Sequence, residues 1–213
     1  MRFSPFAELG PEDRQALARI ATTRTFEKGA VIFNQGDRGE TIYGIERGLV
    51  LVSRVDADGH EQIVNLIGPG DVFPHVGFVT PANYPGSARA VEPCTVTCLA
   101  RSDFNAIMSV RPQVAGAIIG LLERQILQLQ AQLQTLALPN GRQRVVAVLR
   151  FLAQEHGVQS GRDVILTLPM THSELARMVG LSRESVNRVW TQLRREGALA
   201  GSRGTWRIYL DKL

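Results

Sequence analysis

Cysteine is scarce in this chain: two among 213 residues, Cys94 and Cys98, with none ahead of them. Two cysteines make neither a disulfide framework nor a metal-ligand set, so no metal and no cofactor is expected. The N-terminus lacks a basic start followed by an apolar run, and no apolar stretch reaches the length of a membrane span. The reading is a cytoplasmic protein with no membrane partner. No nucleophile–base constellation and no phosphate-cradling loop occurs, which argues against an enzyme. Between residues 55 and 88 there is neither lysine nor arginine.

What is present is globular composition, 44% apolar and 21% charged, over a length that suits two domains. The net charge of +4 is unevenly spread. Residues 1–138 carry 12 basic against 14 acidic side chains, whereas residues 139–213 carry 12 against 6. The excess positive charge lies wholly in the C-terminal third, as a partner with a phosphate backbone requires.

The chain is organised around residues 112–138, whose only glycines, Gly116 and Gly120, lie near its start. Ala115, Ile119, Leu122, Ile126, Leu129, Leu133 and Leu136 step by four and three along it, a heptad seam. Ile119, Ile126 and Leu133 fall at a, and Ala115, Leu122, Leu129 and Leu136 at d. β-Branched a positions with leucine at d favour a parallel homodimer. The flanks are mostly glutamine (Gln125, Gln128, Gln130, Gln132), so the seam itself must drive pairing. Val114, Ile118 and Leu121 form a second apolar stripe, predicted to pack on the helix's own domain. At about 1.5 Å per residue such a helix is about 40 Å long, which suits a dimer spine better than a core helix.

Ahead of the spine, 11–20 reads as a short amphipathic helix. From Arg24 the pattern turns to short β-type runs at 30–33, 41–45, 49–55, 62–67 and 95–99, with turns at Gly36-Asp37, Asp58-Gly59 and Gly68–Asp71. Evenly spaced short strands argue for a roll or sandwich. The ordered run Phe26-x-Lys28-Gly29, Phe33-x-x-Gly36-Asp37, Ile42-Tyr43-x-Ile45-x-x-Gly48-x-Val50, Asp58-Gly59 and Gly70-Asp71-x-Phe73 resembles the β-roll of the cyclic-nucleotide-binding superfamily over roughly residues 24–100. In the CRP/FNR branch of that superfamily a roll feeds a long dimer helix and then a winged helix. The resemblance implies a cyclic-nucleotide site with a carboxylate for the ribose and an Arg-Ser pair for the phosphate. Here the carboxylate position falls on His75, and the pair falls near Tyr84-Pro85 or Gly86-Ser87 without supplying an arginine. Arg89 is the nearest cation, on the face of Ser87 if the strand alternates as drawn. His75, Tyr84, Ser87 and Arg89 are thus the candidate pocket residues, and a buried phosphodiester without a cation would remain uncompensated. The oxygen-sensing relatives use several N-terminal cysteines for an iron–sulfur cluster, which this chain lacks. Cys94 and Cys98, about 13 Å apart on one strand face, exceed the roughly 7 Å reach of a disulfide. They read as small buried side chains.

Beyond a hinge at Pro139-Asn140-Gly141, a helix is expected over 142–155 and a strand over 163–168. Thr171-His172-Ser173-Glu174 is a capping box, Gly180 ends the helix it opens, Leu181 plugs the corner and Ser182 caps a second helix. This is a helix-turn-helix, followed by a wing hairpin over 197–210. The run at 174–188 resembles the CRP/FNR DNA-binding signature. On the second helix Val186, Val189, Trp190 and Leu193 face inward. Arg183, Glu184, Asn187 and Arg188 face outward near its start, with chemistry suited to guanine, cytosine and adenine edges. Arg183, Glu184 and Arg188 match the family's base-reading positions, which implies a TGTGA-like half-site, and Asn187 departs from the small residue of that pattern. Ser182, Ser185, Thr191 and Arg203 are candidates for phosphate contact.

The expected architecture is α+β: a cyclic-nucleotide-binding-like β-roll (1–110), a dimerisation helix (111–138) and a winged helix-turn-helix (139–213). The expected function is a homodimeric regulator that binds a palindromic operator in double-stranded DNA and meets RNA polymerase, independent of cyclic nucleotide. The alternative is a regulator gated by a cyclic nucleotide or another small molecule in the roll, its effector unknown.

Overall fold

Pro11 in the first turn, with acidic Glu12 and Asp13 beside it, opens α1 (Pro11–Ile20). The computed structural model describes residues 6–78, 82–167, 169–202 and 204–213, with the side chains of Gln132 and Leu136 left out. The chain forms two compact units, one ending at Gln128 and the other beginning at Leu129.

Among the described residues of the first unit, eight strands follow α1: β1 (Ala21–Phe26), β2 (Val31–Phe33), β3 (Thr41–Arg47), β4 (Val50–Val55), β5 (Glu61–Ile67), β6 (Val72–Phe73), β7 (Ser87–Ala90) and β8 (Cys94–Ala100). They make two antiparallel sheets, ordered β1-β8-β3-β6 and β2-β7-β4-β5. Strand alternation sorts their side chains between two cores. Tyr43, Ile45, Cys94, Val96 and Cys98 point between the sheets, where they meet Phe33, Val50, Ile67, Ala88 and Ala90. Ile42 and Leu99, one residue out of step, point to the opposite face of the first sheet and join the helices there. Gly48, with φ of +88°, is forced: a Cβ there would lie 2.5 Å from the Pro93 carbonyl oxygen and 2.7 Å from Cys94 Sγ.

That helical layer is α1, α2 (Arg101–Val110) and the first half of α3 (Pro112–Leu136). Phe104 of α2 is fully buried between Phe6 and Phe78, with ring centroids 5.9 and 6.2 Å away. Val114, Ile118 and Leu121 of α3 are 0%, 3% and 5% exposed in the same core, as the second stripe predicted. An ion pair from Arg111 to Asp13, 2.6 Å, ties the α2–α3 junction to α1.

The seam positions of α3 divide. Leu122 packs on that core and Ala115 is half-buried, so these two face the helix's own unit in part. Ile119, Ile126, Leu129 and Leu133 are 61%, 56%, 51% and 66% exposed. Leu136 ends the helix, and its side chain lies outside the described residues. The spine is therefore 25 residues long rather than reaching 138. The boundary between the units falls inside it.

The second unit holds α4 (Gly141–His156), β9 (Val158–Ser160), β10 (Asp163–Thr167), α5 (His172–Val179), α6 (Arg183–Arg195), β11 (Leu199–Ser202) and β12 (Thr205–Ile208). Its strands form one antiparallel sheet, β11-β12-β10-β9. Asn140 caps α4 by accepting from the Gln143 amide at 2.8 Å, so the expected hinge is also a helix start. Strands β1, β6, β7 and β9 and helix α2 were not among the expected elements. Among the described residues no single helix is long and apolar enough to cross a membrane.

Phe104→Ala is expected to cost about 3–5 kcal/mol by loss of contacts and cavity formation. Urea unfolding followed by far-UV circular dichroism checks this, as a lowered midpoint.

Candidate nucleic-acid interface

The helix-turn-helix is built by local hydrogen bonds that its sequence specifies. Thr171 Oγ1 accepts from the Glu174 amide at 3.2 Å, and the Thr171 amide donates to Glu174 Oε2 at 2.7 Å, closing the capping box of α5. Gly180 ends α5 in the left-handed region, φ 63° and ψ 46°, and its amide donates to the Ala176 carbonyl. Leu181 then packs against the start of α4, within 3.0 Å of where a side chain on Gly141 would sit. Ser182 caps α6 by accepting from the Ser185 amide at 3.2 Å.

Val186, Trp190 and Leu193 of α6 are buried, which turns Arg183, Glu184, Asn187 and Arg188 to solvent on the other side. All four predicted residues thus share one exposed face in the first turns of α6. Their side chains are partly arranged already. Arg188 Nη2 donates to Ser185 Oγ at 3.2 Å, and Ser182 Oγ lies 3.1 Å from the same oxygen. Glu184 has its carboxyl held below the usual range by a backbone N–H at the helix start, the Ser182 hydroxyl, and nearby Arg183 and Arg188. It is therefore an ionised acceptor at neutral pH, flanked by two donors. Thr191 Oγ1 donates back to the Asn187 carbonyl at 2.9 Å. Arg203 lies outside the described residues.

A feature the sequence reading missed ties the wing to α6. His172, Trp190 and Trp206 form a column with successive ring centroids 5.0 Å apart, and the Arg194 guanidinium sits 5.7 Å from the Trp206 ring. Trp206 lies on β12, so the wing is held against the helix that carries the polar face. Chain separation hid this pairing, although the presence of just two tryptophans in 213 residues was a usable signal.

Of the expected pocket residues of the roll, one lies in the core. Tyr84 is 5% exposed and belongs to the core: its ring stacks on Phe33 at 3.8 Å, and its hydroxyl donates to the Thr41 carbonyl at 3.0 Å. Phe33, Tyr43, Phe73 and Tyr84 fill the space between the sheets as one aromatic cluster. Ser87 Oγ accepts from the Gln35 amide at 2.9 Å. Ser87 and Arg89 do share a face of β7, since Ala88 and Ala90 take the core side. Burial pulls His75 down to about 4 from an ordinary 6.5, opposed by its hydrogen bond to the Val72 backbone. It is neutral at pH 7. Burial likewise raises both cysteine thiols, which are unbridged.

Known proteins share this arrangement. The cyclic nucleotide-binding domain family matches residues 23–111, and the Crp-like helix-turn-helix domain family matches residues 143–213. The cyclic AMP receptor protein of Thermus thermophilus is 32% identical over 96% of this chain and 92% of its own. This chain belongs to the CRP/FNR family of transcription regulators. A second member, the nitrogen fixation regulation protein FixK of Azorhizobium caulinodans, is 29% identical over 87% of this chain and 74% of its own. The fold also matches the solved structure of FixK2 from Bradyrhizobium japonicum, with TM-score 0.78 over 89% of this chain and 92% of that one at 23% identity. As a CRP/FNR protein it is a DNA-binding regulator, and its helix-turn-helix is the DNA-binding element.

Because folding depresses the His75 pKa, its neutral form is favoured in the native state. Stability should be undiminished above pH 6.5, decline as the pH falls below that value and level off past about 4. Melting temperatures of the native chain and His75→Gln across that window check this: the difference between them should shrink towards acid.

Proposed function

We propose that this CRP/FNR regulator acts in the cytoplasm as a parallel homodimer on a palindromic operator with TGTGA-like half-sites, without needing a cyclic nucleotide. The observation that carries the proposal is the exposed face Arg183, Glu184, Asn187 and Arg188 at the start of a capped, wing-braced α6. Arginine can pair bidentately with guanine, glutamate can accept from the cytosine amino group, and asparagine can pair with adenine. Ser182, Ser185, Thr191 and Arg203 then meet phosphate and fix the register. The chain then divides into roll (1–110), spine (111–138) and DNA-binding domain (139–213), with RNA polymerase as the downstream partner.

Support for the dimer is the stripe Ile119, Ile126, Leu129 and Leu133, apolar and more than half exposed along one helix. Covering it with the same stripe of a second copy, together with Ala115, Leu122 and Leu136, removes that surface from water. Two spines side by side present two α6 helices to successive turns of the major groove, so an inverted repeat follows.

Support for independence from cyclic nucleotide is chemical. The aromatic cluster occupies the roll interior, a neutral imidazole stands where the family's carboxylate belongs, and no cation occurs from 55 to 88. The second reading, gating by cyclic AMP, is favoured by the name of the Thermus relative. Adding cyclic AMP during an operator titration separates the two: affinity should stay unchanged, and a tenfold gain would decide for gating.

Arg188→Ala or Glu184→Ala should weaken operator binding by about 1–3 kcal/mol and leave binding to scrambled DNA nearly unchanged. Tryptophan fluorescence titrations of both duplexes at one salt concentration check this; equal losses on both would remove these residues from base reading.

A further inference from the structure

A cavity of about 720 Å³ opens at the start of α2, between the β2–β3 loop and the segment leading to β7. Arg38, Gly39, Glu40, Asn83, Ser102 and Asn105 line it together with Arg101. Its size is that of a small-molecule site, and it lies outside the aromatic interior of the roll.

Arg101 is what makes it unusual. The residue is 8% exposed, yet no carboxylate among the described residues pairs with it. One guanidinium nitrogen, Nη1, donates to the Ala82 carbonyl at 3.2 Å, and Nε has no partner. The nearest acid in the lining, Glu40, is engaged at 3.2 Å by Arg38. A buried guanidinium without a counter-charge is costly unless an anion completes it.

The surrounding backbone is shaped to admit that guanidinium. A Cβ at Gly39 would fall 2.6 Å from Nη2, and one at Gly77, where φ is +80°, would fall 2.7 Å from it. The start of α2 adds a second attraction for negative charge. Its N-cap is Ala100, which makes no side-chain cap; the Arg101 amide donates to the Glu40 carbonyl at 2.9 Å, and the amides that follow it have no capping side chain. Asp103 offsets part of the helix dipole and accepts from Ser102 Oγ at 3.2 Å. Asn105, also in the lining, brings a side-chain amide to the same wall.

We infer that this cavity binds a small oxyanion, a phosphate or carboxylate group carried by a hydroxyl- or amine-bearing molecule, on Arg101 and the first turn of α2. Arg101, Ser102 and Asn105 share the cavity lining, so a guanidinium, a hydroxyl and an amide stand together for such a group to meet. The assignment concerns the first unit alone and stands whether or not the roll itself senses anything.

Inorganic phosphate is the probe, titrated at constant ionic strength into the full chain and followed by phosphorus NMR line broadening. All measurements carry Arg183→Ala and Arg188→Ala, so that the DNA-reading face contributes nothing. Saturable binding at one site per chain is expected, at least tenfold weaker in Ser102→Ala/Asn105→Ala and absent in Arg101→Gln. Because Arg101→Gln can fail to fold, the paired Ser102 and Asn105 variant decides. Acetate competition tells a carboxylate-accepting site from one selective for phosphate, and either outcome supports an oxyanion site. No saturable binding, or binding untouched by the paired variant, overturns the inference.

Discussion

One helix must satisfy two apolar faces, and the architecture depends on how it does so. The first half of α3 gives Val114, Ile118 and Leu121 to the core beneath the roll, where Phe104 and Leu17 already lie. Its neighbouring stripe, from Ile119 to Leu133, remains in water along the same cylinder. Heptad spacing keeps that second stripe straight enough to meet a copy of itself. A single chain that leaves four large aliphatic side chains exposed in a row pays a hydration penalty that a second copy relieves. The same helix therefore anchors the first unit and, in the proposed dimer, sets the spacing of the two DNA-binding elements.

Local sequence rules made the DNA-binding half legible. Thr171 and Glu174 are three residues apart, Gly180 has no Cβ, and Ser182 precedes a run with helical periodicity; each rule acts within a few residues. The structure reproduces all of them as hydrogen bonds or a left-handed turn. The seam was equally readable, but its periodicity could not say how much of it the helix's own unit would take. Leu122 went to the core because it lies beside Ile118 and Leu121, where the two stripes merge.

The roll was legible in outline and not in content. β1 is an edge strand whose Thr22, Thr23, Arg24 and Thr25 are all exposed, so it shows no alternation to read. α2 carried a signal that went unread, Phe104, Ile107 and Met108 at helical spacing. Phe33, Tyr43, Phe73 and Tyr84 come from four separate segments, and only tertiary packing turns them into one cluster. That cluster makes Tyr84 a core residue. The burial of Arg101 was hidden for the same reason: nothing local announces that an arginine at a helix start will be buried.

The central claim is that two chains, joined along the exposed stripe of α3, read one inverted repeat together. The mass of the complex on a duplex bearing two TGTGA half-sites, measured by sedimentation equilibrium, tests it most directly. The account predicts two chains per duplex with no detectable one-chain complex, and loss of the two-chain species when Ile126 and Leu133 are both replaced by glutamate. One chain bound per half-site, independently and unaffected by those replacements, would contradict it.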